Sequence, residues 1–223
     1  MRINVFLAKA TGISRRRADV IIQDGRVKIN GTVVSSGGQV NEAHDVVMLD
    51  SKMLILPEAT TTIVLNKPIG YVCSRDGQGS RTIYELLPKE LQNLKTVGRL
   101  DKDSSGLILL TDDGALTQKL THPSFQKTKI YEIKLGGPLK ALHRQMIADI
   151  GIQLADGPSR LSLERIKDSN DRAWRVTMRE GRNRQIRRTF ASLGYQVAEL
   201  RRTHFGPYTL GNLKLGAFRP INS

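Results

Sequence analysis

At the centre of the chain stands Val97-Gly98-Arg99-Leu100-Asp101-Lys102-Asp103-Ser104-Ser105-Gly106-Leu107-Ile108-Leu109-Leu110-Thr111-Asp112-Asp113-Gly114. Its pattern is a short strand, a charged turn, and a second strand closed by another turn. Val97 ends one extended run, and Gly106 opens the apolar run Leu107-Ile108-Leu109-Leu110. A continuous apolar run of that length between turn signals suits a strand buried on both faces. The turn carries Arg99, Asp101, Lys102 and Asp103 between two core elements. Charge is costly to bring near a core unless it is paired or used. Asp103, Ser104, Asp112 and Asp113 are expected to bond their own backbone, as Asp and Ser do in turns. Asp101 follows an apolar Leu and lies two residues after an Arg, which makes it the candidate for a functional role.

Before this stretch, Ile63-Val64-Leu65 has strand character and stops at Asn66-Lys67-Pro68-Ile69-Gly70, a turn set by Pro68 and Gly70. Residues 71–74 resume an extended path, and residues 75–81 form a polar, Gly-rich loop of the kind that closes on ligands. Residues 82–87 suit a short helix. After the stretch, residues 115–122 are helical in pattern, and residues 128–135 alternate as a half-exposed strand with Tyr131 and Ile133 on one side. Residues 138–150 show helical spacing at Leu139, Leu142, Met146 and Ile150. Residues 161–163, 174–178, 196–202 and 215–220 complete the strands. Asn183 is expected to cap a helix that buries Ile186, Phe190 and Leu193. Strands outnumber helices and few connections suit βαβ units. The expected fold is therefore α+β, a mixed and largely antiparallel sheet with flanking helices.

The N-terminal residues differ in character. Residues 2–10 place Ile3, Leu7 and Ala10 on one helical face, and Gly12 breaks that helix. Ser14 caps a second, from about Arg15 to Gln23, whose first turn carries Arg15, Arg16 and Arg17. Cations at a helix N-terminus oppose the macrodipole by about 0.3–1 kcal/mol each. The triplet therefore suits a phosphate grip; the alternative is a solvated charged face. Arg26-Val27-Lys28-Ile29, Asn30-Gly31 and Thr32-Val33-Val34 form a strong hairpin signal, and residues 45–49 add a strand. Residues 51–62 are the expected linker. The domains are expected to span residues 1–58 and 62–223.

The 35 Lys and Arg against 21 Asp and Glu give a formal charge of +14, which points to a polyanionic partner. No apolar run is long enough for a bilayer, and the Met1 end lacks the apolar core of a signal peptide, so nucleic acid is favoured over a membrane. Cys73 is the single cysteine, which fits a reducing cytoplasm. Aromatics make up 5%, too few for a broad stacking platform, so charge and shape must supply most RNA affinity. His44, His122, His143 and His204 are scattered without ligand spacing. Asp101-Lys102-Asp103 offers only a weak cation motif among other cations. No phosphate-cradling glycine loop or serine or cysteine nucleophile motif is present. What remains is one carboxylate among arginines. Such a group stays charged and can act as a nucleophile, or stabilise cationic sugar character, at C1′ of a nucleoside.

Two resemblances extend this reading. Arg2-Ile3-Asn4, Leu7, Ser14-Arg15-Arg16-Arg17-Ala18, Ile22, Gly25, Val27, Ile29-Asn30-Gly31 and Asp45 resemble the small RNA-binding domain named after a protein of the small ribosomal subunit, over about residues 1–50. Nearly the whole chain resembles the ribosomal RNA pseudouridine synthases that join such a domain to a catalytic one. The motifs are Asn66-Lys67-Pro68 with Gly70, the Gly98-Arg99-Leu100-Asp101 stretch with Ser105-Gly106-Leu107, Thr111 with Asp113-Gly114, Lys129 with Tyr131, residues 180–188, and Leu200 with Arg202, Gly206 and Pro207. Ser105 stands where many members have Thr.

The second resemblance implies isomerisation of a uridine in rRNA to its C-glycoside without cofactor or metal, the large subunit favoured over the small. Asp101 would be the catalytic carboxylate, by addition to C1′ or by a glycal route. Tyr131 would stack on the flipped base and assist proton loss from C5. Arg187 would pair with Asp101. RNA contacts are expected from Arg2, Arg15, Arg16, Arg17, Arg26, Lys28, Lys67, Arg99, Arg182, Arg184, Arg188 and Arg202. The partner would be rRNA or an assembling ribosomal subunit, met by a cytoplasmic monomer. From the residues alone, Tyr131 could be a core tyrosine, Lys67 a turn decoration, Arg187 a structural ion pair, and Arg182, Arg184 and Arg188 a solvated helix face. A non-catalytic RNA-binding or ribosome-assembly factor is the competing function. A metal-dependent enzyme using Asp101 and Asp103 is a weaker third.

Overall fold

A computed structural model describes residues 1–221. The chain forms two compact units, Met1–Thr60 and Thr61–Ser223. In the first, helices α1 (Ile3–Thr11) and α2 (Arg15–Gln23) pack on a sheet of β1 (Val27–Ile29), β2 (Thr32–Val34), β3 (Val47–Leu49) and β4 (Lys52–Met53) in the order β2-β1-β3-β4. Gly12 ends α1 in the left-handed region, and the Ser14 hydroxyl accepts from Arg17 N at 3.2 Å to start α2. Asn30 and Gly31 take the positive φ values, 48° and 83°, that a two-residue hairpin turn requires. Ile3, Leu7, Ala18, Ile22, Val27 and Val47 form the core of this unit. The expected linker contains β4, which lengthens the sheet by one edge strand.

The second unit is built on β5 (Thr62–Lys67), β6 (Lys95–Val97), β7 (Ser105–Thr111), β8 (Lys129–Leu135), β9 (Ile152–Leu154), β10 (Gly157–Ser159), β11 (Ser162–Arg165), β12 (Ala173–Met178), β13 (Val197–Phe205), β14 (Tyr208–Thr209) and β15 (Phe218–Pro220). Its large sheet runs β11-β12-β8-β13-β7-β5-β15, with β6 on β7 and β14 on β13; β9 and β10 pair separately. All its pairs are antiparallel except β13 with β7. Helices α3 (Gly114–Thr121), α4 (Ala141–Gln145) and α5 (Gln185–Ala191) flank the sheet. The fold is thus α+β with a mixed, mostly antiparallel sheet.

β7 lies inside this sheet and is buried on both faces. Ile108 and Leu110 join one core with Ile63 and Leu65, while Leu107 and Leu109 join a second with Val64 and Phe205. The turn before β7 is thereby fixed at the end of the most deeply buried strand of the sheet.

Three expectations change, and a fourth, the short helix over 82–87, is met by a 3-10 helix. β5 runs on through Asn66 and Lys67, so the turn begins at Pro68. The helix expected over 138–150 starts at Ala141 and becomes a π-helix at Met146–Ile150. Leu139, which lies before the helix, and Ile147 are buried, while Leu142 and Ile150 are 65% and 72% exposed. Residues 82–87 form a 3-10 turn over Ile83–Leu86, closed by a Thr82–Glu85 capping box. Asn183 does not cap α5. Arg184 occupies that position in the left-handed conformation, without a side-chain cap.

Candidate active site

The turn between β6 and β7 is held from beneath. Lys67, at the end of β5, is fully buried. Its ammonium donates to Pro68 O at 3.0 Å, Asp101 O at 3.0 Å and Ser104 O at 2.7 Å. Burial pushes its pKa down to about 8, opposed by the nearby Cys73, Asp101 and Asp103. Leu100 N donates to Cys73 Sγ, and Sγ donates to Leu100 O, both at 3.4 Å. Gly70 N donates to Lys102 O at 2.8 Å. The backbone on either side of Asp101 is therefore fixed from β5 and from the 70–73 segment. Lys67, expected at the RNA, is instead part of this support. Its position in β5 aims it into the core rather than into a turn.

A cavity of about 350 Å³ opens above the turn. Asp101, Arg99, Lys129, Tyr131, Arg184 and Arg202 line it, with Met178, Ile186 and Leu200 as apolar wall. Asp101 thus shares one cavity with the tyrosine ring and with several cations. Tyr131 is 8% exposed and packs in the same core cluster as Ile133, so it is at once a core residue and a wall of the cavity. Arg99 is exposed at the cavity rim.

The arginine beside Asp101 is Arg184, with Nη1 3.5 Å from Oδ2. Arg184 also donates to both Asp103 oxygens at 3.0 and 2.8 Å. Arg187, expected to pair with Asp101, reaches Asp103 instead. Its Nε lies 3.3 Å from Asp103 Oδ2, Nη2 donates to Asp103 O at 2.8 Å, and Nη1 donates to Val197 O at 2.6 Å. Two backbone carbonyls, one in the turn and one at the start of β13, fix this guanidinium away from Asp101. Hydrogen bonds from Arg184 hold the Asp103 carboxyl below the usual carboxylate range, and the Arg187 charge adds to this. Asp103 was expected to satisfy only its own turn, yet it anchors the turn to α5. Sequence spacing gave no sign of this, because its partners lie 81 and 84 residues away.

The other expected RNA contacts divide in two. Arg15, Arg16, Arg17 and Lys28 are exposed, as is Arg2 beside the start of α1. Arg26 is exposed but bound through two nitrogens to Asp50. Arg182 donates to Asp156 O, Gly157 O and Pro158 O at 2.9, 2.9 and 2.8 Å, and Arg188 donates to both Asp156 oxygens at 3.0 and 2.7 Å. These two tie α5 to the β9–β10 hairpin and are structural in the free protein. Arg202 is 2% exposed, donates from Nε to Leu107 O at 2.8 Å, and lies over the Phe205 ring at 4.9 Å. Its placement beside the buried β7 turns it from a surface contact into a floor of the cavity.

Lys129, named only within a motif, also lines this cavity. Burial lowers its pKa, and the Arg202 charge lowers it further. Asp112 and Asp113 have distinct tasks: Asp112 accepts from Thr61 N at 2.8 Å across the sheet edge, and Asp113 caps α3. Among the described residues no three His, Cys, Asp or Glu side chains converge to hold a metal. Nor is any described helix long and apolar enough to cross a membrane.

Comparison with known proteins places this arrangement. Residues 61–192 match the RNA pseudouridylate synthase family, and residues 1–47 match the S4 domain. The ribosomal small subunit pseudouridine synthase A of Haemophilus influenzae is 34% identical over 99% of this chain and 96% of its own length. The ribosomal large subunit pseudouridine synthase B of Pseudomonas aeruginosa is also 34% identical, over 99% of this chain and 59% of its own length. A solved structure described as a pseudouridylate synthase superposes with a TM-score of 0.71 at 35% identity, covering 100% of this chain and 96% of that one. The match over residues 61–192 and the relatives aligned along nearly the whole chain show that this chain belongs to the RNA pseudouridylate synthase family, with an S4 domain at residues 1–47.

Proposed function

We propose that the chain converts a uridine of ribosomal RNA to pseudouridine, with Asp101 acting at C1′ of an extruded nucleotide. The observation that carries this is the convergence of Asp101, Tyr131 and the cations of Arg99, Lys129 and Arg184 on one cavity of nucleotide size. The relatives named for large- and small-subunit rRNA support rRNA as the substrate class.

The reaction is an isomerisation. The C1′–N1 bond breaks, a C1′–C5 bond forms, C5 loses a proton and N1 gains one. Nothing is oxidised, reduced or hydrolysed, so no co-reactant or cofactor is needed. Asp101 either adds to C1′ as N1 departs, or takes the C2′ proton so that a glycal forms. Arg184, with Nη1 3.5 Å from Oδ2, holds the carboxylate in place. Tyr131 stacks on the freed uracil while it turns to present C5. The base must leave its stack, which costs a few kcal/mol in a duplex and less in a loop, so a loop uridine is the favoured target.

Mapping pseudouridines in both rRNAs of a strain that lacks this gene tests the proposal. One site, first sought in large-subunit rRNA, is expected to disappear and to return with wild-type protein. A full set of rRNA pseudouridines in the deletion strain contradicts rRNA as the substrate.

A further inference from the structure

Beside the candidate active site lies a larger cavity of about 1100 Å³. Leu120, Thr121, Lys129, Met178, Gly181 and Arg182 line both, so the two adjoin. The wall of the second adds Lys127, Arg160 and Arg179. Arg160 and Arg179 are exposed and Lys127 is half-buried. Among the described residues none of these three has a carboxylate within ion-pairing distance. The acids of the same wall are Asp149 and Glu180, and Glu180 already pairs with Arg182. Cations without a carboxylate partner along one groove repel each other, and they concentrate an anion there. Phe125 stands 49% exposed beside Lys127, its ring edge-on to His122 of the wall and 5.8 Å from the Lys127 ammonium. Exposed rings next to a basic groove suit stacking of unpaired bases.

A nucleotide drawn into the active site leaves its chain emerging on both sides, and each neighbour brings a phosphate. We infer that the second groove holds the single-stranded RNA on one side of the target nucleotide, with Lys127, Arg160 and Arg179 on its phosphates and Phe125 against a base. This rests on the reading of the chain as an RNA-modifying enzyme. The groove then selects uridines whose flank is unpaired, because a duplex presents no base to Phe125.

The test replaces Lys127, Arg160 and Arg179 by Gln in the full-length protein. With transcribed rRNA fragments, the plot of log affinity against log salt is expected to flatten by about 2, as three lost single-strand phosphate contacts require. For pseudouridine formation, KM is expected to rise about tenfold while kcat changes less than about twofold, the pattern of lost ground-state binding. Substrate RNAs trimmed separately on the 5′ and 3′ sides of the uridine locate the flank. One trim is expected to raise the wild-type KM to that of the variant and to leave the variant unmoved. An unchanged salt slope and KM in a variant with wild-type melting temperature overturns the inference, as does indifference to both trims. Should the triple variant melt early, single Arg160→Gln and Arg179→Gln changes at exposed positions carry the same comparison with smaller shifts. Wild-type protein that forms no pseudouridine removes the enzymatic reading instead, while the salt slope still decides whether the groove holds RNA.

Discussion

Lys67 keeps an ammonium group fully buried under the Asp101 turn, compensated by carbonyl oxygens. Lys67→Met leaves those acceptors without a donor, each costing about 1–3 kcal/mol. A loss of about 3 kcal/mol is expected in urea unfolding at neutral pH; a loss below about 1 kcal/mol would contradict the supporting role. The pH dependence has a definite sign. The folded state releases the Lys67 proton near 8, whereas the unfolded chain keeps it to the ordinary 10.5. Between those values the unfolded chain binds more protons, so stability rises with pH. The wild type is thus expected to gain stability relative to Lys67→Met on going from pH 8 to pH 10, and parallel curves would refute the assignment. The place of Asp101 in the turn between β6 and β7 was legible from a charged turn next to an apolar run. Asp103 and Lys67 were not, because their partners come from other elements and local spacing carries no record of them.

At the scale of elements, β7 and β13 run parallel and meet at Gly106 and Arg202. Gly106 has φ of 102°, and a Cβ there would lie 2.2 Å from Arg202 O. Gly106→Ala must therefore part the two strands or distort the turn before β7. A destabilisation of about 3 kcal/mol or more is expected by urea unfolding, with kcat falling further than the folded fraction explains. A variant with wild-type stability would show that the close approach is not needed. Strands such as β7 were legible because two-face burial leaves an unbroken apolar run. The 138–150 helix was misread because its start lies beyond Leu139 and because the π-turn from Met146 breaks the period that a sequence pattern assumes. The β9–β10 hairpin was missed although Ile152-Gln153-Leu154 alternates and Asp156-Gly157 is a turn signal, and Arg182 and Arg188 both fasten to it.

For the whole molecule, the positive charge is shared between the S4 unit and the catalytic unit. Arg15, Arg16 and Arg17 sit exposed on the first turn of α2, where they oppose the helix dipole. Replacing all three by Gln is expected to flatten the salt dependence of rRNA binding by about 2–3. Helix stability should hold or improve, and an unchanged slope would leave the triplet as ordinary surface charge. The helix pair and the Asn30-Gly31 hairpin of the first unit were legible from local cap and turn signals.

The account's centre is a carboxylate reacting at a sugar carbon, and release of tritium from 5-tritiated uridine in transcribed rRNA reads that reaction directly. Wild-type protein is expected to release tritium, with excess chelator making no difference. Asp101→Asn, with an unchanged melting temperature and RNA affinity, is expected to lose at least about 10³-fold in rate, since the amide can neither add to C1′ nor take a proton. Tritium release by Asp101→Asn at a rate near that of the wild type would contradict the account.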